Sequence, residues 1–297
     1  MKGDEGMLLF GGDEAGHGTL ADASYVVVPA PLEQTVSYGG GTAAGPDAIL
    51  RASAELEFHD EETGRAYWPA GAVHTVAPLH FGDVPSDSVA VIRDAVRPIV
   101  AAGQLPITLG GEHTVTVGAM QAVLEQHEDA ALVMMDAHLD LRSSYGGTPL
   151  SHACVARRMI DDHGVAVHWC GIRSYSAAEA EFVAANDLHP LHAHDISPMD
   201  TTGWARDFVR SLPARVYLSL DIDGMDPAAA PGTGTPEPGG LSYRQVLGLI
   251  REICKKRQLV GADVVEVAPI AGQQVTEFTA ARLLAKLIGG HQYWTHD

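Results

Sequence analysis

Six short, nearly continuous apolar runs recur along the chain: SYVVVPAP (24–31), LPITLGG (105–111), AALVMMDAH (130–138), VAVHWCGIR (165–173), RVYLSLDID (215–223) and VGADVVEVAP (260–269). Runs of this length without polar alternation are the pattern of strands buried on both faces. Stretches with helical spacing lie between them, at 46–56, 86–103, 152–164, 241–256 and 276–290, and Ser176 followed by Glu179 has capping-box spacing for one more helix. Strand and helix in alternation predict an α/β domain whose parallel sheet is covered by helices on both sides. No internal repeat and no long polar linker divides the chain, so residues 1–297 read as one domain, with about residues 1–22 as a flexible N-terminal segment.

Charge narrows the partners. Thirty-eight acidic residues against nineteen basic give a formal net charge of −19. Nucleic acid and anionic membrane surfaces would be repelled by that field, whereas a small cation or a metal ion is a natural partner. No apolar run approaches the roughly 18 residues of a membrane helix, and the opening MKGDEGMLLFGGDE lacks the apolar core of a signal peptide, so a cytoplasmic location is expected. Cys154, Cys170 and Cys254 are far apart and lack CxxC spacing, which reads as reduced structural thiols.

The chemistry gathers where the apolar runs end. Asp136, His138 and Asp140 follow one run at intervals of two, so an extended backbone would point all three to the same side. Asp221 and Asp223 repeat the spacing, His113 follows LPITLGG, and Glu266 closes VGADVV. In a parallel sheet these strand ends form one rim, where ligands bind. Taken singly, Asp140 could be a helix cap and His113 a turn histidine. Their recurrence at separate strand ends favours metal, because each buried carboxylate needs positive charge beside it. Four carboxylates and two imidazoles exceed the needs of one ion, and carboxylates can bridge two, so a two-metal site is expected; oxygen-rich ligation with imidazole suits Mn²⁺.

GGEH (110–113), DAHLD (136–140), SLDIDGMDP (219–227) with APGTGTPEPGG (230–240), and VVEVAP (264–269) together resemble the signature blocks of the ureohydrolases, the arginases and agmatinases. SYGGGTAAGPDAIL (37–50) and CGIRSYSAAE (170–179) are also similar to family segments, so the resemblance runs from about residue 25 onward. It implies a three-layer α/β/α domain around an eight-stranded, mostly parallel sheet, two Mn²⁺ ions per subunit, and a homotrimer or homohexamer. By the same resemblance His113, Asp136, Asp140 and Asp221 would surround one ion and Asp136, His138, Asp221 and Asp223 the other. Asp226 falls outside this set and, before Pro227, reads as turn chemistry.

The family reaction is attack of a metal-bridging hydroxide on a guanidinium carbon, giving urea and an amine. His152 resembles the family's proton-shuttle histidine; if Ser151 caps the following helix, the helix terminus would bias its pKa downward. Glu266 would grip the guanidinium through paired hydrogen bonds, unless it is spent on an internal arginine such as Arg173 or Arg282. The loop LRSSYGGTPLSHACV (141–155) carries Ser-His-Ala where many family members have His-Gly, the form of archaeal and bacterial agmatinase-type members. Agmatine is therefore the first expected substrate, with putrescine as product. Arginine, N1-aminopropylagmatine and 4-guanidinobutyrate are the alternatives, the last favoured if Arg142 faces the pocket, and a silent metal-binding homologue is the reading from a different class.

Overall fold

The computed structural model describes residues 7–294. Its strands are β1 Tyr25–Ala30, β2 His59–Asp60, β3 Arg65–Ala66, β4 Val73–Thr75, β5 Leu105–Gly110, β6 Ala131–Met135, β7 Val167–Ile172, β8 Leu191–His192, β9 Arg215–Asp221 and β10 Gln258–Val265. Its α-helices are α1 Gly45–Ser53, α2 Pro85–Ala101, α3 Val115–Leu124, α4 Val155–His163, α5 Ala177–Ala185, α6 Gly203–Ser211, α7 Tyr243–Lys256 and α8 Val275–Tyr293. Eight strands form one sheet in the order β4-β1-β5-β10-β9-β6-β7-β8, every pairing parallel, while β2 and β3 make a small antiparallel hairpin.

The six apolar runs became the six inner strands. The edge strands β4 and β8 have three and two residues, too short to leave a periodic signal. Helix α3 was not anticipated because it has no polar face: VTVGAMQAVL is buried along most of its length. On one face of the sheet α1, α7 and α8 pack Ile49, Leu249, Ile250 and Leu284 against Val27, Ile107 and Val264. On the other, Ile92, Met120 and Met159 from α2, α3 and α4 cover Leu132 and Met134. The result is the expected three-layer α/β/α arrangement. All three cysteines are buried free thiols, and no described helix is long and apolar enough to cross a membrane.

The N-terminal expectation needs correcting. Residues 1–6 lie outside the described residues, but the rest of the 1–22 stretch is tied down. Phe10 is fully buried and stacks on Trp68 at 5.8 Å, its N–H donates to Thr75 Oγ1 at 3.0 Å, and Gly18 N–H donates to the Val73 carbonyl at 3.0 Å. The segment thereby covers the β4 edge, a role invisible in its polar, glycine-rich sequence.

Register places the site. Leu109, Val264, Leu220 and Met135 lie in one row across β5, β10, β9 and β6. The residues that follow in the chain, among them Asp136, Asp221 and Glu266, therefore emerge side by side at the carboxyl ends of the four central strands.

At the periphery, Lys286 on α8 is completely buried, with Nζ 2.7 Å from Asp60 Oδ1 and 3.0 Å from Glu61 Oε1. This ion pair fastens the β2–β3 hairpin to α8. Lys286→Met would leave Asp60 buried and unpaired, at an expected loss of about 3–5 kcal/mol of folding stability. Chemical denaturation measures it, and a loss below about 1 kcal/mol would show that the hairpin is held by packing instead.

Candidate metal centre and active site

His113 is delivered by a turn that only glycine permits: a Cβ on Gly111 would collide with the Leu32 carbonyl. The GG pair is thus a tight turn, as expected, and His113 leaves it at the start of α3. Its Nδ1 lies 3.0 Å from Asp140 Oδ2, 3.1 Å from Asp221 Oδ2 and 3.3 Å from Asp136 Oδ2. His138 Nδ1 lies 3.1 Å from Asp223 Oδ2 and 3.6 Å from Asp136 Oδ1. All six residues singled out in the sequence are therefore gathered at one rim. Two overlapping groups, His113-Asp136-Asp140 and Asp136-His138-Asp223, bring their ligand atoms close enough to hold a metal ion, and Asp136 is common to both. Asp221 reaches the first group through Oδ2 and is oriented by the Asp223 N–H, which donates to Oδ1 at 2.9 Å.

Two observations test whether this donor set fits a cation. His113 Nδ1 and Asp136 Oδ2 are buried and have no hydrogen-bond partner, although carboxylate oxygens crowd His113 on three sides. Orphaned buried polar atoms aimed at one another are costly unless something positive sits among them. The protonation balance makes the same point. Burial and the neighbouring Asp136 charge push Asp140 up to about 6, while burial, Asp223 and Asp136 push Asp221 well above the usual carboxylate range. Burial alone would lower His138, yet Asp136 and Asp223 carry it up to about 12. The cluster demands positive charge, and the residues present suit a divalent ion.

One imidazole is oriented from behind. Ser219 Oγ donates to Asp263 Oδ1 at 2.6 Å and so accepts from His113 Nε2–H at 2.9 Å. That assignment, made from the hydrogen-bond network, turns Nδ1 toward the carboxylates. Burial would lower the imidazole's pKa, but Asp136, Asp140 and Asp221 hold it well above the usual histidine value, so a metal ion must displace a proton there. Asp263 is itself buried and also accepts from Tyr217 and Thr116 hydroxyls, each at 2.8 Å. Sequence reading missed Ser219 and Asp263; the available signal was a pair of polar residues inside two otherwise apolar strands, which the register places opposite each other. It also missed Thr235, whose hydroxyl donates to Asp223 Oδ2 at 3.0 Å.

Glu266 sits beside the cluster. Its N–H donates to the Gly111 carbonyl at 2.8 Å and its Oε1 accepts the His113 N–H at 2.7 Å. It is not spent on an arginine: Arg173 donates to main-chain carbonyls, including those of Asp223 and Met225, and Arg282 pairs with Glu61. Glu266 and Asp140 both take left-handed backbone conformations, φ 62° and 50°, which non-glycine residues adopt at a cost and which cluster at functional sites. Asp226 accepts from Ala228 and Gly239 N–H groups, the turn role expected of it.

His152 Nδ1 lies 3.6 Å from Glu266 Oε1, and its Nε2 is buried without a partner. Two expectations about it fail. The Ser151 side chain does not cap the following helical turn. The pKa is shifted upward, not downward: burial lowers it, but Glu266, then Asp140 and Glu112, outweigh that effect. The helix-terminus argument loses because a carboxylate a few ångströms away is a full charge, whereas the helix end is a partial one.

These residues floor a cleft of about 310 Å³. Arg142, Tyr145, Tyr175 and Glu179 also line it. The Arg142 guanidinium lies over the Tyr145 ring, 4.9 Å from its centroid, and is solvent-exposed. The Glu179 carboxylate is occupied, accepting from the Ser176 N–H at 2.8 Å and the Leu141 N–H at 3.1 Å.

A parallel sheet of this order carries, on its central strand ends, a cluster of acids and imidazoles that could hold metal ions, and comparison with known proteins specifies the family. The arginase family model matches residues 23–289. An N(1)-aminopropylagmatine ureohydrolase of Synechocystis is 36% identical over 283 residues, spanning 93% of this chain and 90% of that protein. An agmatinase of Pyrococcus horikoshii is 37% identical over 273 residues, spanning 91% and 93%. The crystal structure of the agmatine ureohydrolase of Thermoplasma volcanium superposes with a TM-score of 0.85 at 33% identity and covers 98% of each chain. The chain belongs to the arginase family, and it is an enzyme of the ureohydrolase class.

Two outcomes are expected of the metal centre. Ser219→Ala should weaken Mn²⁺ binding by about 10–100-fold in calorimetric titration of the metal-free protein, since His113 loses the acceptor that fixes its ring; unchanged affinity would assign no role to that hydrogen bond. Because His138 is protonated at neutral pH without a metal, binding near pH 7 should release protons and tighten as pH rises. Metal titration in weakly buffered indicator dye reads this directly, and proton-neutral binding would contradict it.

Proposed function

We propose that the protein hydrolyses a linear guanidino compound carrying an amine tail, agmatine in the first place, to urea and putrescine. The observation that carries the reading is the placement of Glu266 and His152 together beside the carboxylate–imidazole cluster on one rim. In this reading two Mn²⁺ ions are held, one by His113, Asp136, Asp140 and Asp221 and the other by Asp136, His138, Asp221 and Asp223. When bound they supply Lewis acidity and a water activated at neutral pH.

The chain's own groups do the rest. Glu266 Oε1 is anchored by the His113 N–H, which turns the carboxylate edge toward the cleft, where a planar guanidinium can donate to it. Protonated His152 is within reach of the same carboxylate and delivers a proton to the departing amine nitrogen, which is a poor leaving group as a free base. The outer cleft, with the exposed Tyr175 at its side, receives the tail.

N1-aminopropylagmatine is the second substrate reading, supported by the names of the Synechocystis, Thermococcus kodakarensis and Thermus thermophilus relatives. Arginine and 4-guanidinobutyrate rank below it. The same reading takes the protein as a cytoplasmic homotrimer or homohexamer, a state light scattering measures.

The test is urea release by the Mn²⁺-loaded protein offered agmatine, N1-aminopropylagmatine, arginine and 4-guanidinobutyrate side by side. Agmatine, or its aminopropyl derivative, should be turned over fastest; bound manganese with no urea from any of them would mean a silent homologue. His152→Phe should keep its metals yet lose about 10²–10⁴ in kcat. The sign of the pH dependence follows from the raised His152 pKa: the acid form persists above the ordinary histidine value near 6.5, so kcat should fall only as pH climbs past that raised value. An alkaline limb at or below about pH 6.5 would contradict the assignment.

A further inference from the structure

His152 opens a 3₁₀ turn, His152–Cys154, whose first N–H groups have no partner within the helix. The adjacent Ser151 leaves its Oγ buried and unpaired. The His152 N–H is instead taken by Thr35 Oγ1 at 3.0 Å, 117 residues earlier in the chain. A threonine hydroxyl has one proton, and this one goes to Glu112 Oε1 at 2.8 Å, so the lone pairs of Oγ1 are what face His152. The other oxygen of Glu112 accepts the N–H groups of Gln34 and Thr35, both at 2.6 Å. Glu112 is fully buried, pairs with no arginine or lysine among the described residues, and its own N–H donates to the Leu32 carbonyl at 2.8 Å.

We propose that Glu112 and Thr35 are positioning residues that set His152 in register with the metal cluster. The argument is one of common origin. In the GGEH turn, His113 points to the carboxylate cluster and the neighbouring Glu112 points to residues 34–35, which in turn hold the backbone of His152. The metal ligand and the proton donor are thereby referenced to a single turn, although they belong to different elements. A misplacement on the order of 1 Å in a catalytic group costs about 10²-fold in rate. A capping serine at 151 would tie His152 only to its own helix. The Thr35 hydroxyl ties it to the turn that carries His113.

This inference rests on the proton-donor reading of His152, and the experiment separates the two. Thr35→Val keeps the side-chain shape and removes the hydroxyl, while Thr35→Ser keeps the hydroxyl. For the Mn²⁺-loaded enzyme on its best guanidino substrate, Thr35→Val should lower kcat by about 10–100-fold with KM and Mn²⁺ affinity unchanged, and Thr35→Ser should restore kcat. A purely structural hydroxyl would lower stability or raise KM without this split. Wild-type kcat in Thr35→Val, or an equal loss in Thr35→Ser, overturns the proposal. His152→Phe run alongside exposes failure of the underlying reading: if it turns over normally, His152 donates no proton. NMR titration of the His152 ring in metal-free protein needs no turnover. In Thr35→Val its pKa should fall toward the ordinary value near 6.5 as the ring leaves Glu266; no change there also counts against the proposal. If valine is not accommodated, Thr35→Ala removes the hydroxyl without adding bulk.

Discussion

The constraint on which the site depends is the burial of Asp136, Asp140, Asp221 and Asp223 within a few ångströms of one another at the ends of adjacent strands. Like charges this close and this dry cannot all ionise without compensation. Protons supply some of it, which is why Asp140 and Asp221 are pushed up while the histidines are pulled up beside them. Divalent ions supply it better, because one ion can partner both Asp136 Oδ2 and, once its proton has left, His113 Nδ1, which otherwise have no hydrogen-bond partner. The fold makes this concentration possible: only a parallel sheet brings several strand ends of one polarity to the same rim.

The demand for positive charge also explains features away from the ligands. A ligand that must not rotate needs support from behind, and the Ser219–Asp263 pair provides it for His113 from within the sheet. Left-handed backbone at Asp140 and Glu266 is held by a backbone hydrogen bond at each: the Asp140 carbonyl accepts from Arg157 N–H and the Glu266 N–H donates to the Gly111 carbonyl. Arg173 threads its guanidinium among the carbonyls of residues 223–225 and 237, holding the loop that carries Asp223 without placing a competing cation in the cleft.

Legibility in the sequence tracked how local each interaction is. Six inner strands were readable because full burial on both faces leaves an unmistakable apolar run; five of the six candidate ligands were readable because period-two spacing at a strand end survives in one dimension, and His113 because it follows such a run directly. The eight-strand count came from the resemblance, since β4 and β8 are too short to announce themselves. What failed was non-local. A Ser151 cap was only a condition, since capping is normally a neighbour's task; its side chain makes none, and the His152 N–H is taken by a threonine 117 residues away. The direction of the His152 shift was misjudged for the same reason: the helix terminus is visible in sequence, whereas the distance to Glu266 is a fact of three dimensions.

The outer cleft completes the argument about charge. Of the groups that line it, Glu179 has its carboxylate committed to the Ser176 and Leu141 N–H groups, and Arg142 lies exposed against Tyr145 with its charge largely hydrated. Neither presents a dedicated, desolvated partner for a substrate tail. On the proposed reading, binding energy would be concentrated on the guanidinium, at Glu266, and the tail would meet a wet, mildly polar mouth where contacts are worth little. A zwitterionic tail such as that of arginine would bring a carboxylate and an amine to a mouth whose buried carboxylate, Glu179, is already committed, and would gain little for their desolvation. A tail ending in an amine can stay hydrated beside the tyrosines, in a protein whose net charge of −19 already favours the approach of cations.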